Sequence, residues 1–428
     1  MQVRPAGDRA FLIELGDVSA EELHRRAVEM RSRDGVIACI VGHSSLYVVV
    51  AGSQLPVAGT EVATGNWQPV THSIPVLFER DPIEVTLRAR YLGFRAGFAY
   101  LEGWPPELAM PRLATSRPVA RGSFAIAGTM AGFYPIDTPG GWNILGRTSV
   151  TLWDPNREPP NLIAPGDVVH VVPVSELPPA EPLLPAPSPG GDVIAEVVSP
   201  GQLTRIVGPR DWSRVEHGLA PGGAFDDFEG TLLECVLVAP RLRFVRPTRV
   251  TWWDGDVVES RVVEELDLGR LRSMRAYIGI EGGVDEMRPR YAEEATRLVR
   301  GMKLYAGGAE ARGRSHDADR HDIAVMPGPH EPSISEVECE VTPHIDRVGI
   351  RLRPLRDLGI TAPRDLRSCG MQFGTVQLHP DGSLVAMGPD HPVTGGYLQP
   401  MTVLSSERWK LAQLAPGERV RFSVHPER

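Results

Sequence analysis

Five polar residues stand at turn-like positions where their side chains can do chemistry. Arg147 follows a glycine, and its guanidinium can hold a carboxylate or phosphate through two parallel hydrogen bonds. Asp346 and Arg347 open a strand-like run, so the arginine can bind an anion that the aspartate orients. Asp390 and His391 are a second pair of adjacent polar residues. A histidine that titrates near neutrality can act as an acid or a base. We therefore take Arg147, Arg347, Asp390 and His391 as candidate catalytic residues.

Each of these residues also has an ordinary structural explanation. A surface arginine, an exposed Asp–Arg pair and a solvated loop histidine contribute little to function or stability. Aromatic rings beside glycine turns can line a cavity, but they can equally pack in the core of a β-barrel. The candidate substrate-binding residues are Phe94, Tyr100, Tyr134, Trp142, Asp346, Thr394 and Tyr397.

One phrase occurs twice in the chain and predicts a duplicated fold unit. TPGGW at residues 138–142 precedes LIAPGDVVHVVP at 162–173, and VTGGY at 393–397 precedes LAPGERVRFSV at 414–424. In each copy a Gly-Gly-aromatic turn is followed by a Pro-Gly-acid turn that opens a strand. Two related β-units commonly bind a ligand at their junction, so we expect the candidate residues to meet there.

The elements that must position these residues fall into separate parts of the chain. We predict a small α+β subdomain over 1–70, a first β-barrel over 71–175, a proline-rich linker at 176–191 and a second β-barrel unit over 192–428. Within the first part we expect strands at 10–15, 36–41 and 45–50, and a helix capped near Ser19. In the second half we predict helices only around 228–238 and 291–298.

Composition excludes several classes of protein. The chain has 428 residues and a net charge of -9, which argues against a nucleic-acid partner. No apolar run is long enough to span a membrane, and the four cysteines lack CxxC spacing, so we expect a reduced, cytoplasmic setting. The sequence contains no phosphate-cradling glycine motif and no metal-ligand spacing, which predicts no cofactor and no metal in this chain.

The first half resembles a known family in several short motifs that occur in order. These are GFRAGFAYL at 93–101, PR at 111–112, GSFAIAG at 122–128, GFYP at 132–135, TPGGW at 138–142 and GRT at 146–148. They resemble the first subunit of bacterial 5-oxoprolinase, also called allophanate hydrolase subunit 1. The second half resembles the partner subunit, with PGGAFD at 221–226, RAYIGIEGGV at 275–284, DRVGIRL at 346–352 and TGGY at 394–397. The same two units, fused, form the carboxyltransferase domain of urea carboxylase.

The resemblance implies a fold and a class of chemistry. It implies a mainly β protein with an α+β N-terminal subdomain and two cyclophilin-like β-barrel units in tandem. It also implies chemistry on an amide, urea or lactam carbonyl in the cleft between the barrels, with ATP or carboxybiotin used elsewhere in the assembly, and ATP only if it is supplied through a partner subunit. We therefore expect a small-molecule ligand and an ATP-handling partner subunit, with no nucleic acid and no membrane, and leave a homo-oligomer open.

Several positions depart from the family motifs. Ala96 stands where the family has proline, and Cys369 stands where the second subunit has an acidic residue. These departures favour a repurposed member over a standard 5-oxoprolinase. Two alternatives stay open: a non-catalytic regulatory module, since one branch of the family inhibits a bacterial sensor kinase, and a cyclase-type enzyme of specialised metabolism with a mainly apolar chamber.

Overall fold

Strands make up most of the architecture, and the N-terminal part is a small sheet with one helix packed on it. The structure is a computed structural model that describes residues 1–56, 69–226, 228–312, 320–363 and 366–424. The N-terminal strands pair in the order β1-β2-β4-β3. Their bounds are β1 (Gln2–Pro5), β2 (Ala10–Glu14), β3 (Val36–Val41) and β4 (Ser45–Val50).

Helix α1 (Ala20–Arg31) lies where the sequence pattern placed it. The Ser19 hydroxyl accepts a hydrogen bond from the backbone N–H of Glu22 at 3.1 Å, which satisfies one of the free amides of the first turn. Its apolar face buries Leu23, Ala27 and Met30 against the sheet. The predicted cap, helix and flanking strands are therefore confirmed.

Seven strands of the first half close into a barrel in the cyclic order β5-β12-β9-β10-β7-β6-β13. β13 runs parallel to β5, and the other strand pairs of this barrel are antiparallel. Two further short strands, β8 and β11, pair with each other beside the barrel. The bounds are β5 (Thr71–Phe78), β6 (Val85–Leu92), β7 (Ala99–Glu102), β8 (Arg117–Val119), β9 (Ser123–Ala127), β10 (Met130–Phe133), β11 (Thr138–Gly140), β12 (Asn143–Arg147) and β13 (Val168–Pro173).

An open sheet of eight strands lies between the two barrels in the chain. The residues of the proline-rich linker at 176–191 form no helix or strand, and the sheet begins directly after them. The bounds of its strands are β14 (Val193–Ser199), β15 (Arg205–Val207), β16 (Leu232–Val238), β17 (Arg241–Asp254), β18 (Val257–Asp267), β19 (Arg270–Ile280), β20 (Thr296–Arg297) and β21 (Lys303–Tyr305).

Both helices predicted in this region are wrong. The run LLECVLV is strand β16, because six of its residues are buried or partly buried between two neighbouring strands of the sheet. The second predicted helix, around 291–298, consists of turns followed by the two-residue strand β20. In both cases pairing with distant strands outweighs a local helical pattern.

The second barrel closes in the cyclic order β22-β29-β26-β27-β24-β23-β30, with β25 and β28 paired beside it. Its strands are β22 (Asp322–Pro327), β23 (Glu336–Ile345), β24 (Gly349–Pro354), β25 (Cys369–Gly370), β26 (Thr375–Leu378), β27 (Leu384–Met387), β28 (Thr394–Gly395), β29 (Leu398–Val403) and β30 (Arg419–Val424). A short helix, α2 (Arg408–Ala412), precedes the last strand. The described 3-10 helices are Pro106–Leu108, Trp212–His217 and Ser405–Glu407.

The two barrels have one topology. Numbered from its own first strand, each barrel has the cyclic order 1-6-4-5-3-2-7, and in each the first and last strands are parallel. Each also carries an accessory two-stranded pair, whose strands follow its third and fifth barrel strands. The duplication predicted from the repeated phrase is therefore present in the fold, and the prediction of two tandem barrels is confirmed.

The two halves meet where the turn that contains Gly93 packs against strand β28. Gly93 follows β6 and packs against Thr394 of β28, so a Cβ at position 93 would lie 1.7 Å from the Thr394 Oγ1. That hydroxyl donates a hydrogen bond to the Leu92 carbonyl at 3.4 Å. The N-terminal sheet also touches the second half, because Tyr47 packs with Cys369 and Val393.

Candidate functional site

A cavity of about 380 Å³ lies where the two halves meet, and we call it the cleft. The first half contributes the turn after β6 and strand β11, the open-sheet region contributes its loops, and the second barrel contributes the turns after β23 and β27. The lining residues are Phe94, Arg95, Ala96, Thr138, Pro139, Arg205, Gly218, Leu219, Ala220, Glu293, Glu294, Asp346, Arg347, Val348, Asp390, His391 and Pro392.

The walls of the cleft come from equivalent parts of the duplicated barrels. Phe94 follows β6, the second strand of the first barrel, and Asp346 and Arg347 follow β23, the second strand of the other barrel. The duplication thus brings the turn with Phe94 and Arg95 to one side of the cleft and the turn with Asp346 and Arg347 to the other. This is the junction at which the sequence predicted a ligand site.

Phe94 has an unusual backbone conformation for a bulky residue. Its φ is +65°, in the left-handed region where a side chain with a Cβ is strained by about 1–3 kcal/mol. The ring is held edge-on against Phe98 and Tyr134, with centroids 5.5 and 6.4 Å away. Packing of the ring therefore keeps the strained turn in place at the edge of the cleft.

Arg347 is buried, and its hydrogen-bond donors are already engaged. Its Nε and Nη2 donate to the two carboxylate oxygens of Asp390 at 2.7 and 3.0 Å, and Nη1 donates to Glu234 at 2.8 Å. Nη2 also donates to the Gly223 carbonyl at 2.6 Å. Glu234 in turn accepts a hydrogen bond from the buried Arg275. The sequence predicted that Arg347 binds an anion, and the structure shows that two carboxylates of the chain itself occupy it.

The charges of this cluster stabilise one another. Burial opposes ionisation of Glu234, but the adjacent Arg347 and Arg275 outweigh it and hold the pKa of Glu234 below its ordinary value. Burial likewise opposes the charge on Arg347, and Asp390 and Glu234 outweigh it and raise the pKa of the guanidinium. Two arginines and two carboxylates thus form a buried network that carries no net charge.

His391 lines the cleft as a neutral ring. Its Nδ1 lies 2.8 Å from the Pro392 carbonyl, which can only accept, so Nδ1 carries the proton and Nε2 carries the lone pair. Nε2 is buried and has no hydrogen-bond partner among the described residues. Burial lowers the pKa of His391 to about 4. The prediction that this histidine titrates near neutrality is therefore wrong, because the sequence could not show that the side chain is only 2% exposed.

The two other arginines of the cleft also have carboxylate partners. Arg95 lies 3.8 Å from Glu293, and Arg205 lies 3.4 Å from Glu294. Glu293 further accepts the backbone N–H of Ala96 at 2.9 Å, which ties the open-sheet region to the first half. Arg95 Nε donates to the hydroxyl of Thr138 at 3.2 Å. An anionic ligand would have to compete with these carboxylates for each arginine.

The remaining predicted residues lie outside the cleft. Tyr100, Tyr134 and Trp142 pack with Phe98 in an aromatic cluster at the side of the first barrel, and the Phe98 and Trp142 ring centroids are 5.4 Å apart. Arg147 is exposed on β12 and pairs with neighbouring strands through its backbone. Thr394 packs on Gly93 rather than facing the cavity.

Tyr397 lines a different cavity on the second barrel, and Asp346 forms part of the wall that this cavity shares with the cleft. Phe94, Asp346, Arg347, Asp390 and His391 are thus the predicted residues that the fold brings to the cleft. The sequence analysis did not single out Glu234, Glu293 or Glu294. Glu234 lies in a run that was assigned to a helix, and a strand assignment would have placed it beside Arg275 on β19.

Comparisons with known proteins find two family matches, one in each half of the chain. The family model for the carboxyltransferase domain, subdomains C and D, matches residues 80–163, and the model for subdomains A and B matches 290–424. The chain belongs to the carboxyltransferase-domain family. Within the described residues no helix has the length and apolarity to cross a membrane, and no group of histidine, cysteine or acidic residues is arranged to hold a metal.

Individual relatives match one half each. The chain is 44% identical to the B subunit of 5-oxoprolinase from Escherichia coli O157:H7 over 105 residues, which is 23% of this chain and 48% of that protein. It is 45% identical to the corresponding B subunit from Bacillus subtilis over 86 residues, or 20% of this chain and 36% of that one. It is 25% identical to the C subunit of 5-oxoprolinase from Escherichia coli K12 over 196 residues, covering 40% and 63% of the two chains. The chain thus spans less than half of these two B-type relatives.

One solved structure covers both halves together. The crystal structure of TTHA0988 superposes with a TM-score of 0.77 over 97% of this chain and 99% of that one, at 24% sequence identity. At this identity the likeness shows the fold alone. The tandem arrangement of barrels and open sheet is therefore shared with a solved protein, whereas the ligand of the cleft has to be argued from its own residues.

Proposed function

We propose that the protein is a divergent enzyme of the 5-oxoprolinase and urea carboxylase superfamily that acts on a small, uncharged carbonyl compound in the cleft. The compound belongs to the amides, lactams or urea-like molecules. The observation that carries the proposal is that every arginine lining the cleft already has a carboxylate partner. A neutral polar ligand avoids the competition that an anion would meet.

The polar groups of the cleft suit a carbonyl and its neighbouring N–H. The Thr138 hydroxyl accepts from Arg95, so its own proton is free to donate to a carbonyl oxygen. Asp390 is 18% exposed beside Arg347, and its carboxylate can accept an amide N–H while it stays paired. His391 adds a buried lone pair on Nε2.

Activation of the carbonyl is assigned to a partner. The matched relatives are named as the B and C subunits of 5-oxoprolinase, and we propose that a separate ATP-handling subunit works with this chain. The chain's own residues would then bind and orient the compound. A cytoplasmic setting remains a prediction of the sequence, and the question of a homo-oligomer stays open.

Calorimetric titration with a matched pair of ligands tests the proposal. 5-Oxoprolinamide is uncharged and 5-oxoproline carries a carboxylate, while the lactam ring is the same. We expect the amide to bind at least tenfold more tightly. Thr138→Val should weaken amide binding about five- to tenfold, because it removes one hydrogen bond worth about 1 kcal/mol, whereas Thr86→Val on the exposed face of β6 should leave it unchanged.

The opposite preference would contradict the proposal. Equal or tighter binding of 5-oxoproline, or release of glutamate from 5-oxoproline when the chain works with an ATP-handling subunit, would indicate the parent reaction instead. Binding of the amide that is unchanged by Thr138→Val would place the ligand outside the cleft.

A non-catalytic binding module is the second candidate, and one observation favours it. A base is most effective when its pKa lies near the working pH, and burial lowers the pKa of His391 to about 4. A stoichiometric protein partner in a pull-down, together with no response of the melting temperature to small carbonyl compounds, would support this candidate. Apolar atoms make up more of the exposed lining of the cleft than polar atoms, so a cyclase-type enzyme stays open as a further alternative.

A further inference from the structure

The duplicated barrels can be aligned residue by residue from their strand registers. In the first barrel Ala131 pairs with Ile126 and Leu101, and in the second barrel Leu384 pairs with Leu378 and Leu352. Counting along the strands from these pairs gives the equivalent positions. Phe98 corresponds to Gly349, Tyr100 to Arg351, Ala125 to Gln377 and Tyr134 to Met387, and the repeated turns equate Trp142 with Tyr397.

The first barrel fills this place with aromatic rings. Phe98 lies at the centre, with ring centroids 5.0 Å from Tyr100, 5.3 Å from Tyr134 and 5.4 Å from Trp142. Phe98 also packs over Gly132, which leaves room for the large ring. The result is a cluster in which these four rings pack edge to face against one another.

The second barrel fills the same place only in part. Glycine replaces the central phenylalanine, and the Val385 side chain, which stands where the first barrel has Gly132, takes up some of the space, since its Cγ1 lies 3.0 Å from where a Cβ on Gly349 would be. A cavity of about 490 Å³ results, and its lining includes Gly349, Arg351, Gln377, Met387 and Tyr397. The four positions that carry these rings in one barrel, together with the position of Ala125 beside them, therefore line a pocket in the other, which we call the Tyr397 pocket.

One wall of this pocket is a flat pair of rings. His379 stacks on Tyr397 with centroids 4.2 Å apart and an interplanar angle of 22°. The His379 Nε2 is buried and has no hydrogen-bond partner among the described residues. Burial lowers the pKa of His379, so the ring is neutral near pH 7.

The charged groups of the pocket are already paired. Arg351 donates to Asp381 at 3.0 Å, and Asp346 accepts the backbone N–H groups of Val348 and Gly349 at 2.8 and 3.0 Å. What remains for a ligand is a flat aromatic face, apolar contact with Val385 and Met387, and one unsatisfied ring nitrogen.

We propose that the Tyr397 pocket binds a flat, uncharged aromatic or heteroaromatic molecule that carries a hydrogen-bonding group beside its ring. The ligand ring lies against Tyr397 and over Val385, and its polar group meets His379. The pocket shares a wall with the cleft through Asp346, Val348 and Pro392, but the proposal does not depend on what the cleft binds.

The test uses benzamide as the probe and cyclohexanecarboxamide as its non-planar counterpart. In protein labelled with ¹³C at the methionine methyl groups, benzamide should shift the Met387 signal through its ring current. The signal of Met302, which packs against the core of the open sheet, should not move and reports that the protein is folded. Cyclohexanecarboxamide should bind at least tenfold more weakly, because stacking on Tyr397 requires a flat ring.

Substitutions at the Tyr397 pocket test whether benzamide binds there. Val385→Trp should abolish the benzamide response by filling the pocket, and Val258→Trp, at an exposed site on β18, should preserve it. Tyr397→Leu should weaken binding about tenfold, while Tyr397→Phe, which keeps the ring, should stay within about twofold.

Three results would overturn the proposal. They are no Met387 response to millimolar benzamide in the folded wild-type protein, equal affinity for the two amides, and an unchanged benzamide affinity in Tyr397→Leu. If Val385→Trp does not fold, the two Tyr397 variants decide the question.

Discussion

At the scale of single residues, burial decides what the polar groups of the cleft can do. His391 and Arg347 were both identified from the sequence, yet neither has the property expected of a solvated side chain. Arg347 is saturated by Asp390, Glu234 and a carbonyl, and His391 is held neutral. The cleft is therefore a preorganised polar surface whose charges are neutralised within the protein.

The buried histidine makes stability depend on pH. In the unfolded chain its pKa is about 6.5, and in the folded protein burial lowers the pKa to about 4. As the pH falls below 6.5 the unfolded chain takes up a proton that the folded protein excludes, so stability is complete above pH 6.5 and is lost toward pH 4. Between pH 7.5 and 5 this group should cost about 2 kcal/mol, since one pKa unit corresponds to about 1.4 kcal/mol.

Urea unfolding of wild type and His391→Gln at the two pH values measures this contribution. The variant should lose about 2 kcal/mol less stability on acidification than wild type. His344→Gln, at an exposed site, serves as the control and should behave like wild type. An equal pH dependence in wild type and His391→Gln would show that the ring is not buried neutral.

At the scale of elements, the contact between Gly93 and Thr394 sets how closely the two halves approach each other. Gly93 has no room for a side chain, because a Cβ there would meet both the Oγ1 and the Cβ of Thr394, the latter at 2.9 Å. Glycine is therefore required here by close approach of another element rather than by its own backbone angles.

A double-mutant cycle tests this contact. Gly93→Ala should destabilise the protein by about 1–3 kcal/mol through overpacking. Thr394→Ala in the same chain should recover part of that loss, giving a coupling energy of at least about 0.5 kcal/mol. Gly52→Ala is the matched control, because nothing lies within 4 Å of the added methyl group and stability should not change. Additive effects of the two substitutions would contradict the contact.

Sequence reasoning recovered the elements that have strong local signals. The Ser19 cap, the apolar face of α1 and the apolar run of β2 are local patterns, and the repeated Gly-Gly-aromatic turns pointed to two copies of one barrel. It failed at strand β16, whose apolar run LLECVLV has no local feature that separates a buried strand from a helix.

The candidate site was also recovered only in part, because contacts between residues that are distant in sequence decide which side chains reach it. Five predicted residues reach the cleft because they follow strands that the duplication places at the junction. Trp142 and Tyr397 occupy equivalent turns, yet one packs in an aromatic cluster and the other lines a pocket. The difference comes from Phe98 and Gly349, which are distant in sequence and meet these turns only in the folded barrels.

At the scale of the whole molecule, duplication generates both the cleft and its asymmetry. Two barrels of one topology bring equivalent turns together, and the open sheet between them in the chain fixes the junction through Glu234 and Glu293. Divergence of the copies then gives one wall a turn with Phe94 and Arg95, and the other a turn with Asp346 and Arg347. A junction built this way can hold one ligand site between the halves, which is the cleft, and a second ligand site on a single barrel, which is the Tyr397 pocket.

The central claim is that the cleft between the halves binds a small uncharged carbonyl compound. A crystal structure of the protein with 5-oxoprolinamide tests this claim most directly. We predict density for the lactam beside Phe94, with its carbonyl oxygen on the Thr138 hydroxyl and an amide N–H on Asp390. Density for the compound at another place, or an empty cleft at a concentration that saturates binding in solution, would contradict the account.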